Sequence, residues 1–233
     1  MEKMPDSFNV VELLCKCEDK TPYILVCFQE CERMNTLTYE IKRSLKELDL
    51  GLKGELTMTQ DMEELSTSLF FDQVPLTWQK LAYASLKGLS AWYADLLLRI
   101  SELQCWTADF MLPASVWLSG FFNPQSFLTA IMQTTARKNE LPLDKMTLIC
   151  EVTHMLTKEE VNAAPAEGAN VGGLFLEVTN FRLTLNNKTF IQGARWDYMH
   201  NCLTDSRLKE LHPSLPIMFI RAVTQDIAVS CKC

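Results

Sequence analysis

Met34, Leu37, Ile41, Leu45 and Leu48 follow one another at steps of three or four residues and stop before Gly51. That spacing places them on one face of a helix, so a long amphipathic helix is expected there. Met58, Met62, Leu65 and Leu69 repeat the pattern, as do Trp92, Leu96, Ile100 and Leu103, with Ser90 available as an N-cap. A shorter helix is expected around Leu76 to Ala84. Asn123-Pro124 opens another, because asparagine caps free amides while proline occupies the first turn without losing a needed donor. Its inward residues are Phe127, Leu128 and Ile131, and it is expected to run to Arg137-Lys138.

After Pro142 the period changes. Met146, Leu148 and Cys150 alternate with Thr147, Ile149 and Glu151, and β-branched residues become frequent, which predicts a strand. Leu174 to Thr179, Phe181 to Leu185, Thr189 to Gln192 and Ile217 to Val223 are further strand candidates. Asn186-Asn187 lies between two of them, where asparagine tolerates the positive φ of a tight turn, so Val178 to Gln192 is expected to form a hairpin with Phe181, Leu183 and Leu185 on one face. Ala163 to Gly173, rich in Ala and Gly, reads as a loop. The fold class is therefore α+β, helical first and strand-forming second.

The 233 residues suffice for one large domain or two small ones, and 48% hydrophobic with 22% charged residues is a globular composition. The longest uninterrupted apolar run, Tyr23 to Phe28, is far below the roughly 18 residues of a membrane span. Met1-Glu2-Lys3-Met4-Pro5-Asp6 carries acids and a proline where a secretion signal needs a basic start and an apolar core. The nine cysteines are therefore expected to be reduced intracellular thiols. A net charge of −7 argues against a nucleic-acid footprint or a polybasic membrane patch.

Sites of chemistry are sparse. Gly168 and Gly173 have phosphate-loop spacing, but Leu174-Phe175 follows where Lys and a hydroxyl are required. Ser119-Gly120 has Trp117 where a nucleophile elbow needs glycine. Cys15/Cys17, Cys231/Cys233 and His200-Asn201-Cys202 could contribute metal ligands, yet no paired Cys-x-x-Cys knuckles are present. Cys150 and His154, four apart on a strand, would be separated by roughly 13 Å. Asp61-Glu63-Glu64 and Glu159-Glu160 read as solvated faces, and the sequon Asn187-Lys188-Thr189 as a hairpin tip. A thiol nucleophile at Cys105 or Cys150 would need an activating histidine. No catalytic, cofactor-binding or metal-binding residue is assigned.

Trp78, Trp92, Trp106, Trp117 and Trp196 are expected to be mainly core. Met111 to Phe122 is rich in apolar residues but too irregular for an amphipathic helix, and part of it is expected to meet another domain or polypeptide.

Several separated strings resemble, in order, one family. They are Trp78, Tyr83 to Leu89, Trp117 to Thr129, Ala136-Arg137-Lys138, Leu141 to Asp144, Gly173 to Glu177, Gly193 to Asp197 and Leu215 to Met218. Together they look like the C-terminal domain of dynein heavy chains, of the axonemal more than the cytoplasmic type, over about residues 22 to 223. The resemblance implies a helical part at 22–140 and a small, incomplete antiparallel β-barrel at 141–233. Residues 1–21 would be the tail of, or junction to, the last module of a ring of six AAA+ modules. It further implies a non-catalytic domain, without cofactor, packed on that ring and tuning a minus-end-directed microtubule motor of cilia and flagella. The first and last AAA+ modules would be its partners, within the dynein complex, with no nucleic acid and no membrane. A free-standing interaction scaffold is the alternative. Two departures stand out: Val178 to Gln192 separates strings that nearly adjoin in the family, and the sequence ends at Cys233, where family members continue into further sheet.

Overall fold

The computed structural model describes residues 4–172, 184–185, 188–189, 194–197, 199–200, 202–205 and 215–225. The elements are α1 (Val10–Lys16), α2 (Pro22–Leu52), α3 (Gln60–Phe70), α4 (Leu76–Gln79), α5 (Leu89–Asp109), β1 (Val116–Trp117), α6 (Pro124–Lys138), β2 (Met146–Val152), β3 (Ala169–Gly172), β4 (Thr184–Leu185), β5 (Lys188–Thr189), β6 (Ala194–Asp197), β7 (Cys202–Asp205) and β8 (Met218–Thr224). None of these helices is long and apolar enough to cross a membrane. The protein divides into a helical unit, residues 1–18 with 27–109, and a second unit, residues 19–26 with 110–233.

In the helical unit the stripe read from spacing is the core: Met34, Leu37 and Ile41 of α2, Met62 and Leu65 of α3, and Trp92, Leu96 and Ile100 of α5 are buried. The helix through Met34 is longer than its apolar stripe. It opens at Pro22, where a missing amide costs nothing, and runs through Gly51 to Leu52. The leading segment is clipped to it by two reciprocal hydrogen bonds. The Phe8 amide donates to Asn35 Oδ1 and Asn35 Nδ2 donates to the Phe8 carbonyl, each at 2.8 Å.

The helix expected over Leu76 to Ala84 is only the four residues of α4. Ser90 does not cap α5; it is the second residue of that helix, and Asp72, eighteen residues earlier, takes the capping role. The Asp72 carboxylate accepts from the Ser90 amide at 2.9 Å and from its hydroxyl at 2.6 Å, and the Asp72 carbonyl accepts from the Leu89 amide at 2.9 Å.

The second unit is built on a four-stranded sheet in the order β1-β3-β8-β2. β8 is central and antiparallel to both neighbours, with Ile220 opposite Ala169 on one side and Cys150 on the other. β1 joins β3 in parallel, Val116 opposite Val171. Among the described residues the sheet is open, as an incomplete barrel would be, but mixed rather than wholly antiparallel, since β1 and β3 run parallel. As its capping asparagine and Pro124 predict, α6 starts with Asn123 Oδ1 accepting from the Ser126 amide, and it lies against β8 and β2. Its Phe127, Leu128 and Ile131 are buried. Tyr23 joins this core, its ring 5.6 Å from that of Phe127 and its hydroxyl donating to the Gly168 carbonyl at 3.4 Å.

The segment Ala163 to Gly173 is not all loop, since Ala169–Gly172 forms the internal strand β3. Ala-Asn-Val-Gly lacks the bulky β-branched signature because little room exists there: Ala169 and Val171 are wholly buried. Gly168, at φ +78°, lets the backbone enter the sheet, and a Cβ there would press into the Ile220 carbonyl. The predicted turn at Asn186-Asn187 is flanked by a described antiparallel pairing, Leu185 opposite Lys188 and Thr184 opposite Thr189. Phe181, Leu183, the strand candidate Leu174 to Thr179 and residues 190–192 lie outside the described residues, as do Cys231 and Cys233. β6 pairs with β7, Trp196 opposite Leu203.

Candidate functional site

The side chains flagged for chemistry are scattered. Cys15 and Cys105 are exposed, on α1 and α5, while Cys17 is buried. Cys150 stands on β2, where burial, reinforced by the Glu151 charge, pushes its thiol up to about 12. That is the wrong direction for a nucleophile, which needs a stabilised thiolate. His154 is exposed beyond the end of β2. His200 Nδ1 lies 2.7 Å from Asp197 Oδ2, an exposed pair beside the β6–β7 turn. Among the described residues no three His, Cys, Asp or Glu side chains are arranged to hold a metal ion. Asp61, Glu63 and Glu64 face solvent in the first turns of α3. Glu159 and Glu160 lie in a short 3-10 turn, with Glu160 accepting from the Leu156 amide. Lys188-Thr189 of the sequon is β5 itself.

Met111 to Phe122 is divided in its fate. Val116, Leu118 and Phe121 are buried, and Val116-Trp117 is the strand β1. Gly120 lies so close under the Trp117 ring that a Cβ would come within 2.8 Å of it. Met111, at 69% exposure, remains on the surface.

The densest polar chemistry is inside the helical unit. Asp95 and Arg99, one turn apart on α5, are both buried, and Arg99 Nε donates to Asp95 Oδ2 at 2.8 Å. Lys87 Nζ reaches the other carboxylate oxygen at 3.0 Å. Burial alone would raise the Asp95 carboxyl, but the Arg99 charge and the hydrogen bonds from Arg99 and Lys87 outweigh it and hold the carboxyl below its ordinary range. The Arg99 guanidinium lies 3.4 Å from the centre of the Tyr83 ring, a cation–π contact in a desolvated setting. Tyr83 stacks on Trp92, Trp92 on Trp78, and Trp78 Nε1 donates to Ser44 Oγ at 2.9 Å. The Tyr83 hydroxyl donates to the Trp92 carbonyl, and burial raises its pKa. A series of polar and aromatic contacts thus runs from Lys87 to α2.

Sequence reasoning missed this cluster, although a signal exists. Asp95 and Arg99 fall on the same stripe as Trp92, Leu96, Ile100 and Leu103, and a carboxylate four residues before a guanidinium on an apolar face marks a buried pair. The Asp72 staple has no such local signal, because its partner is supplied by the fold.

What these elements define is an α+β domain, helical first and sheet-forming second, with the Asp95–Arg99 ion pair turned inward. The model of the family formed by the C-terminal domain of dynein heavy chains matches residues 1–232, and the protein belongs to that family. It is 62% identical over 226 residues to the ciliary dynein beta chain of Heliocidaris crassispina and 58% identical to dynein axonemal heavy chain 17 of Homo sapiens. With the flagellar outer arm dynein beta chain of Chlamydomonas reinhardtii it shares 47% identity over 231 residues. These matches span 97 to 98% of this sequence but only 5% of each relative.

Proposed function

We propose that this protein serves as the C-terminal domain of an axonemal dynein heavy chain, with no catalytic site of its own. It packs on the AAA+ ring of the same polypeptide, against the first and last modules, and modulates a microtubule motor of cilia and flagella. The observation that carries this reading is the match across nearly the whole sequence to relatives named as ciliary, flagellar and axonemal dyneins, of which it spans a small fraction. The inward-facing charges support a packing role: Asp95, Arg99 and Lys87 satisfy one another and are not aimed at a ligand. ATP would be hydrolysed elsewhere in the heavy chain.

The test sets an intact heavy chain against one lacking residues 22–233 in ATPase and microtubule-gliding assays. Removal is expected to change gliding velocity while the remaining ring still hydrolyses ATP. Calorimetric titration of the 233-residue protein with Mg-ATP should give no binding heat. Unchanged gliding, or micromolar ATP binding by these residues, would overturn the reading.

A further inference from the structure

Phe70 ends α3 and is 83% exposed, the next residue Phe71 is 63% exposed, and Leu76, which opens α4, is 67% exposed. The two phenyl rings meet edge to face, 5.2 Å between centres. Leu86, two residues before Gly88, is also exposed. Two touching phenyl rings left this exposed on a surface rarely lack a use.

The corner is also held still. Asp72, directly after the phenylalanines, has φ 53°, a backbone region that non-glycine residues occupy only under constraint. Its three hydrogen bonds to Leu89 and Ser90 fix it to the first turn of α5. Gly88 lies so close that a Cβ there would come within 2.7 Å of the Asp72 carboxylate. From this staple the outward side of α5 continues through Ala91, Ala94 and Leu98 without a charge, because Asp95 and Arg99 are spent inside. Rigid aromatic anchors displayed this way lose little freedom on binding, the property of interface hot spots.

We propose that Phe70, Phe71 and Leu76 form a preformed plug that inserts into an uncharged, apolar pocket on another part of the same heavy chain. The inference rests on the reading above and names the residues that would make the contact. The three side chains expose roughly 400 Å² of apolar surface. Two copies meeting corner to corner would bury roughly 800 Å², short of the 1,200 to 2,000 Å² typical of a stable interface between separate polypeptides. A tethered partner does not face that threshold, since attachment supplies a high effective concentration. The sequence spans 5% of the relatives' length, so ample polypeptide is available to supply the pocket.

The experiment uses the full-length heavy chain with Phe70→Cys and, separately, with Asp61→Cys at the exposed start of α3. Maleimide labelling of each introduced thiol is followed peptide by peptide, in native protein and in urea. The thiol at position 70 should label more slowly in the native state by on the order of tenfold or more, and that at 61 should not. A maleimide-benzophenone attached at 70 should photo-cross-link within one heavy chain. Free labelling at 70, equal protection at both positions, or a cross-link to a second heavy chain or to another polypeptide would each overturn the plug. A freely reactive thiol at 70 together with altered gliding on removal of residues 22–233 would remove the plug alone. Unchanged gliding would overturn the broader reading, and the plug with it.

Discussion

The two units solve the problem of a core differently. In the second, the buried faces of α6, β3 and β8 are uncharged and mainly apolar: Phe127, Ile131, Val171, Met218 and Ile220 are wholly enclosed, and burial of such side chains is non-directional. In the helical unit, the buried Asp95 carboxylate takes the Arg99 guanidinium and the half-buried Lys87 ammonium, and Arg99 lies over the Tyr83 ring, which stacks on Trp92. The first arrangement tolerates repacking, since any hydrophobe of the right volume serves. The second fixes α5 at one rotation, because turning the helix would take Asp95 from Lys87 and Arg99 from the Tyr83 ring. A buried ion pair adds little net stability over apolar isosteres, but losing one member is severe.

The largest expected effect follows from that asymmetry. Asp95→Ala should destabilise the protein by about 3 to 5 kcal/mol in urea melts, since Arg99 stays buried without the carboxylate that neutralises it. The double variant Asp95→Leu/Arg99→Met should come close to wild type; an equal loss in both would show that packing, not pairing, is at stake. Acid sharpens the point. The Asp95 carboxyl is depressed in the folded state, so its contribution is present above the ordinary carboxylate range and lost as pH falls below about 4. Melting temperatures taken down a pH series should fall there in wild type and fall less in the double variant.

In the sheet unit a strained entry point replaces the charged one. Gly168→Val should cost about 2 kcal/mol or more, combining a left-handed φ with the clash against the Ile220 carbonyl. An unchanged melt would mean that β3 can enter the sheet another way. Asp72→Ala should cost about 1 kcal/mol, the usual worth of a cap, with faster amide exchange at Leu89 and Ser90 and little change in the sheet.

The smallest effect concerns reactivity. At pH 8, iodoacetamide should modify Cys105 and Cys15 well before Cys150, whose thiol is pushed up to about 12. Comparable rates at all three would contradict the half-buried setting of Cys150.

Where periodicity and capping agree, the fold was legible. The stripe of α2, the start of α6 at Asn123-Pro124 and the alternation of β2 are local patterns that tertiary structure preserves. What escaped has non-local causes. β3 is short and built of small residues because its neighbours, not its propensity, make it a strand, and Ser90 loses the capping role to a carboxylate that only the fold brings near. At the candidate site, the resemblance carried by Trp117 to Thr129 and its companion strings pointed to the family. The aromatic corner was hidden, because nothing in the sequence tells whether Phe70-Phe71, just past an amphipathic stripe, is buried or exposed.

The placement of β8 bears on how the polypeptide is made. Every residue of the helical unit has been synthesised by residue 109, so that unit can collapse while the rest is still being translated. The sheet cannot do so: its central strand is 218–224, which follows the helical unit, β2 and β3 in the sequence, and β2 and β3 have no common partner until it arrives. A ribosome that terminates before residue 218 would release a finished helical unit attached to the β1–β3 pair and β2, each with the edge that β8 would cover left bare. Such a product invites aggregation rather than partial function.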